Sequence, residues 1–175
     1  MFDPARAQLV VVDFQEKLAG AMPQPQRDRG QKAIENLVFL ARELGMPLLF
    51  TEQYPQGLGP TVAALGATEP FEKTAFAATD EEGFAARLAR RPQVILCGME
   101  THICVAHTAV GLLGAGLEVL VGADACVSRR DADWADGLGW MRQVGATVVP
   151  SETILFGLLG RARGPVFKEV SRRIR

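Results

Sequence analysis

Apolar positions along the chain fall into two kinds of segment that alternate. LVVVDF (residues 9–14), PLLFTE (47–52), QVILCG (93–98) and EVLVGA (118–123) are short runs dense in β-branched and apolar residues, the form taken by strands buried on both faces. Between them apolar residues recur at helical spacing. IENLVFLARELG (34–45) ends a helix with its glycine stop, residues 101–115 form a helix closed by Gly116, and residues 131–144 form another. FEK (71–73) and TVV (147–149) add two short strands, and Ser151 is placed to cap the helix ETILFGLL. Thr79 with Glu82 three residues on has the capping-box pattern, for a helix to about Arg90. YPQGLGP (54–60) reads as a loop. Strands separated by helices of this length require right-handed crossovers. The pattern therefore predicts an α/β fold, a Rossmann-like three-layer sandwich with a six-stranded parallel sheet flanked by helices.

The chain has 175 residues, 48% of them apolar, with no internal repeat, low-complexity segment or linker, which predicts a single domain over residues 1–175. Its 19 basic and 20 acidic residues give a net charge of −1, and the only basic cluster is a short one at Lys168, Arg172, Arg173 and Arg175. That is no footprint for nucleic acid or an anionic membrane. MFDPARAQLVVVDF lacks a signal-peptide pattern and no run approaches the roughly 20 apolar residues of a membrane span, so a cytoplasmic location is expected. Three cysteines in such a compartment are expected to stay reduced, and each must be explained singly.

Ligands of open α/β sheets sit outside the carboxyl ends of the strands, which singles out Asp13 after the first strand, Lys73 at the end of the third and Cys104 after the fourth. A thiol at a helix start beside an ammonium is favoured as thiolate and becomes a nucleophile. Asp13 can take the thiol proton and return it to a leaving amine, while Lys73 holds the two anionic groups together. Backbone N–H groups of METHIC would face the oxygen of an attacked carbonyl. Only four of the 19 basic residues are Lys, so position 73 departs from the chain's use of Arg. Each residue also has a plainer reading. A cysteine after a buried strand is by default a core residue, as we take Cys97 and Cys126 to be. Asp13 alone could cap a turn, and Lys73 alone could be a solvated charge.

VVDFQ at Asp13, EKTAF at Lys73 and GMETHICV at Cys104, in that order, resemble the signature segments of the isochorismatase-like cysteine hydrolases, which include nicotinamidases and N-carbamoylsarcosine amidohydrolases. The similarity extends through TEQYPQGLGPT, DACVSRRDAD, GLGWMRQVGATVVPSETILFGLLG and PVFKEVS to the branch called isochorismatase domain-containing proteins. The resemblance implies a Cys104 nucleophile, Asp13 as general acid and base, Lys73 as electrostatic partner, and an oxyanion hole from the backbone N–H groups of Glu100 and Cys104. It also implies a cis peptide between Met99 and Glu100. The Glu100 side chain is expected to point away from the sulfur, where its charge would raise the thiol pKa. Gln15, Tyr54, Phe76 and His102 flank the expected pocket and are its candidate walls, though aromatics there are as often core and a His at a helix start is more often a surface residue.

Two departures narrow the chemistry. The name-giving isochorismatases cleave a vinyl ether and lack the cysteine, so Cys104 favours a small amide-type or carbamoyl-type C–N bond cleaved through a thioester. Nicotinamidases carry an Asp and two His that hold a metal in the loop after the second strand, whereas TEQYPQGLGPT contains no His. His102 and His107 stand five apart, off the spacing that shares a helical face. No metal and no cofactor are expected. The alternatives are a nicotinamidase-like amidase that dispenses with metal, a non-catalytic binding or scaffold module that retains the fold, and a redox-sensing thiol with Cys97 or Cys126 as resolving partner if either lies close. A small-molecule substrate and a homo-oligomer, dimer or larger, are the expected partners, with no nucleic acid and no membrane.

Overall fold

A computed structural model describes residues 2–175. Six strands, β1 (Ala7–Val12), β2 (Leu48–Gln53), β3 (Phe71–Lys73), β4 (Gln93–Met99), β5 (Glu118–Val127) and β6 (Thr147–Val149), pair in parallel in the order β3-β2-β1-β4-β5-β6. The helices are α1 (Glu16–Gly20), α2 (Gln24–Glu43), α3 (Pro55–Leu58), α4 (Phe84–Arg87), α5 (Ala106–Gly114), α6 (Asp131–Gln143), α7 (Ser151–Leu159) and α8 (Pro165–Arg173).

Alternate residues of the central strands face two cores. Leu9, Val11, Ile95 and Cys97 join Ile34, Leu37 and Ala41 of α2 and Ile154 and Leu158 of α7 on one side. Val10, Val12, Val94 and Leu96 join Ala109 and Leu112 of α5 and Leu138 and Met141 of α6 on the other. Every residue of β1 is buried, which is why these strands read as continuous apolar runs rather than as alternation. Strand order reverses between β1 and β4, the crevice in which such sheets bind ligands.

The structure departs from the sequence expectation at several places, each with a local cause. The helix that residues 34–45 were expected to end starts at Gln24, in a polar stretch without apolar period whose Pro25 is suited to a first turn, so its beginning was not legible. The capping box at Thr79 and Glu82 does not form. Residues Ala78–Asp80 make a single 3-10 turn, Gly83 at φ +87° breaks the chain, and only α4 follows. Glu81 is the acid that works there, accepting from the N–H groups of Thr74 and Ala75 at 2.7 and 2.9 Å, and those bonds hold its carboxyl below the usual range. Ser151 is the first residue of α7 and not its cap: Pro150 precedes it, and its N–H and hydroxyl both donate to Asp124, at 2.6 and 2.7 Å. β5 runs past the expected EVLVGA because it bulges, residues 122–125 standing opposite Cys97 between the Leu96–Val121 and Gly98–Cys126 pairs.

Candidate active site

Three strand ends and one irregular turn build the site. Asp13 follows β1 in a left-handed conformation, φ +49°, fixed by its N–H to Thr51 O at 3.1 Å. Gly98, at φ +127°, lies so close to β1 that a Cβ there would stand 2.0 Å from Val12 O. Only glycine lets the end of β4 pass this near to the residue before Asp13. The Met99–Glu100 peptide is cis, as the resemblance implies. The helix expected from Thr101 opens instead as a π-turn, Thr101–Val105, in which Val105 N–H reaches back to Glu100 O at 3.2 Å. Gly137 of α6 allows that turn: a Cβ there would be 2.8 Å from His102 Cα, so the helix rests directly on the turn's backbone.

Asp13, Lys73 and Cys104 come together. Lys73 Nζ lies 2.7 Å from Asp13 Oδ2, and both side chains are fully buried. Thr51 donates to Asp13 Oδ1 at 2.6 Å, while Oδ2 has no hydrogen-bond partner besides this ion-pair contact and is open to a proton. Lys73 is enclosed by further oxygens, Gln53 Oε1 at 2.6 Å, Ala75 O at 3.1 Å and Phe76 O at 3.3 Å. With three N–H groups and four acceptors, it has no donor in reserve. Cys104 Sγ sits 4.0 Å from the same Gln53 Oε1.

The thiol is not the low-pKa group that a helix start beside a lysine suggests. Burial, followed by the negative charge of Asp13, pushes it up to about 12, and Lys73 offsets only part of this. The cause is geometric: Lys73 faces Asp13 directly, so the sulfur meets a compensated ion pair in an environment that disfavours its own charge. The Glu100 carboxylate turns to Arg129, which donates its backbone N–H and its Nε, each at 3.0 Å, yet its charge still adds a little to the rise in the thiol pKa.

The expected pocket walls fare differently. Gln15 is fully buried and ties loops together, donating to Gly59 O at 2.6 Å and Gln53 O at 3.1 Å and accepting from Gln53 N–H at 2.8 Å. These bonds tie the ends of β1 and β2 to the 54–60 loop. Tyr54 and Phe76 are exposed beside the Lys73 segment, Tyr54 N–H donating to Lys73 O at 2.9 Å. His102 turns to the start of α6, with Nδ1 3.0 Å from Ser128 Oγ and Nε2 3.8 Å from Asp133. Cys97 and Cys126 are buried, as expected, and burial raises the pKa of both. Cys97 faces the α2 side of the sheet and Cys104 the α5 side, so Cys97 is no resolving partner. The residues missed from the sequence are Gln53, Thr51 and Arg129. Gln53 was within reach, since it ends β2 and the strand-end rule that selected Asp13 and Lys73 applies to it equally. Among the described residues no group of three or more His, Cys, Asp or Glu side chains is placed to hold a metal ion.

The sequence matches the Isochorismatase domain over residues 7–153. The chain belongs to that family. Isochorismatase domain-containing protein 2 of Bos taurus is 40% identical over 180 residues, which cover 98% of this chain and 84% of the relative. The solved structure of MAR1 ribonuclease from Caenorhabditis elegans is 37% identical, with a TM-score of 0.89 over 98% of this chain and 91% of that one. The YcaC gene product of Escherichia coli, described as an octameric hydrolase of unknown specificity, shares the fold at 22% identity, with a TM-score of 0.89 over 98% and 89% of the two chains. Six parallel strands flanked by helices are thus the isochorismatase-like arrangement, and hydrolases are among its members.

Proposed function

We propose that residues 1–175 form one cysteine hydrolase domain that cleaves a small amide-type or carbamoyl-type C–N bond through a thioester. Cys104 is the nucleophile, Asp13 the general acid and base, and Lys73 the charge that holds Asp13 in place. The observation that carries this reading is the fully buried Asp13–Lys73 pair, 2.7 Å apart, set beside a free thiol. Buried ion pairs add little to stability. One that borders a reactive sulfur at the ligand crevice is better explained by chemistry.

The mechanism starts from the neutral thiol. At neutral pH a thiol with a pKa of about 12 is ionised in roughly one site in 10⁵. Asp13 Oδ2 therefore takes the proton as the S–C bond forms, and not beforehand. The carbonyl oxygen of the substrate becomes an oxyanion held by the backbone N–H groups of Glu100 and Cys104. Asp13 then gives its proton to the departing nitrogen, the C–N bond breaks, and a thioester remains on Cys104. Water, deprotonated by the freed Asp13, attacks the thioester, and the acid leaves as the sulfur regains a proton. Exposed Tyr54 and Phe76 offer apolar surface at the mouth, where a second copy in a homo-oligomer would pack.

Ribonuclease activity, ascribed to the Caenorhabditis elegans relative, is the second reading. RNA cleavage by the metal-free route uses the substrate's own 2′-hydroxyl, so Asp13 would serve as base while Cys104 would have no part. Against it stand the net charge of −1 and a Lys73 whose donors are already engaged. A panel of small amides, carbamoyl compounds, ureido acids and a single-stranded RNA, assayed with and without exhaustive chelation, separates the readings. We expect ammonia release from at least one of the small compounds, unchanged by chelation and lost in Cys104→Ala. RNA cleavage that survives Cys104→Ala, with no ammonia from any small compound, would replace this reading with the second.

A further inference from the structure

Away from the β1/β4 crevice, at the carboxyl end of β5, a cavity of about 560 Å³ opens between α2 and α6. Asp13, Lys73 and Cys104 are not among its walls. Its size lies within the roughly 300–1,000 Å³ of small-molecule sites. Two local features shape it. Gly30 brings α2 down onto the strand end, where a Cβ would meet Val127 Cγ2 at 2.3 Å, and the β5 bulge carries Asp124 and Ala123 out to the flanking helices.

The polar groups around this cavity are nearly all engaged. Asp124 accepts two hydrogen bonds from Ser151, Asp131 accepts from Gln26 Nε2 at 2.8 Å, and Ser128 Oγ lies 3.0 Å from His102 Nδ1. Trp134 donates its indole N–H to Ala123 O at 3.1 Å, which fixes the ring that forms one apolar wall with Val127 and Ala135. Arg29 alone among the charged side chains here has neither a hydrogen bond nor an ion pair. An unpartnered guanidinium at the rim of an apolar slot with a fixed indole selects a planar apolar body that carries one anionic group. The two acids nearby repel any further negative charge.

We propose that this cavity is a second ligand site, for a small aromatic monocarboxylate whose ring packs on Trp134, Val127 and Ala135 and whose carboxylate pairs with Arg29. It does not rest on the hydrolase reading, and its test reads binding only. The probes are 2-naphthoate, the uncharged 2-naphthalenemethanol and naphthalene-2,6-dicarboxylate, titrated calorimetrically into wild type, Arg29→Gln and Ala135→Trp. Both substitutions are at exposed positions, and circular dichroism checks that the fold is kept. We expect saturable binding of 2-naphthoate, weakened about tenfold by Arg29→Gln and abolished by Ala135→Trp, which fills the slot. The alcohol and the dicarboxylate should bind more weakly. No saturable binding of 2-naphthoate overturns the proposal. So does binding indifferent to Arg29→Gln, which removes the carboxylate contact, or binding that survives Ala135→Trp, which places the probe elsewhere.

Discussion

Asp13→Asn is expected to cut turnover of any amide the protein hydrolyses by about 10²- to 10⁴-fold, the range for loss of a general acid–base group. Asn can neither take the thiol proton as sulfur attacks nor return one to the leaving nitrogen. The same substitution should leave the sulfur more nucleophilic, because it removes the charge that, after burial, does most to raise the thiol pKa. It also leaves a fully buried Lys73 without its counter-ion, although Gln53 Oε1 and the carbonyls of Ala75 and Phe76 still accept from it. Breaking a buried pair on one side costs about 3 kcal/mol. Steady-state kinetics on the accepted substrate and a thermal melt measure the two effects. A reactive cysteine with failed turnover is the signature of a lost proton carrier; a parallel loss of both would point to a collapsed site.

Gly98→Ala is expected to be the most damaging single methyl group in the chain. Its Cβ would lie 2.0 Å from Val12 O and 2.7 Å from Val12 N, atoms of a central strand that have no freedom to move away. The backbone at φ +127° is also one that L-residues rarely adopt. Strain of this kind costs on the order of 3–5 kcal/mol, a large part of the 5–15 kcal/mol that holds an ordinary domain together. Thermal unfolding should fall by on the order of 10 °C. Gly20→Ala is the control, since a Cβ there meets nothing within 4 Å, and it should change the melting temperature little.

The central strands β1 and β4 were legible because burial on both faces writes them as continuous apolar runs, while β3 and β6, short and only partly buried, still fall on the expected residues. That Asp13, Lys73 and Cys104 would converge followed from the strand-end rule, whereas the order β3-β2-β1-β4-β5-β6 was not legible, since no local pattern says which strands are neighbours. Short helices were not legible. Glu16–Gly20 and Pro55–Leu58 are too brief to show a period, and both are held by loop contacts, such as Lys17 Nζ to Gly57 O at 2.9 Å, that no local pattern announces. The capping box at Thr79 does not form because residues 78–80 make a 3-10 turn and Gly83, at φ +87°, breaks the chain, so no helix runs through Glu82. The error over the thiol had another source. Position along the chain places a lysine near Cys104, but whether that lysine faces the sulfur or Asp13 is a matter of tertiary geometry.

The most direct test of the account is the pH dependence of Cys104 alkylation by iodoacetamide, read by peptide mass spectrometry in wild type, Asp13→Asn and Lys73→Met. A thiol whose pKa is raised is protonated over the whole neutral range and ionises only as pH climbs toward the raised value. In wild type the rate at Cys104 should therefore be low at pH 7 and still rising, without a plateau, at about pH 10. Asp13→Asn removes a group that raises the pKa, so its curve should move to lower pH. Lys73→Met removes the one neighbour that lowers it and should move the curve to higher pH. A wild-type plateau reached near pH 7 would mean a preformed thiolate, and a curve unmoved by Asp13→Asn would mean that the carboxylate does not act on the sulfur; either result contradicts a neutral Cys104 activated by Asp13.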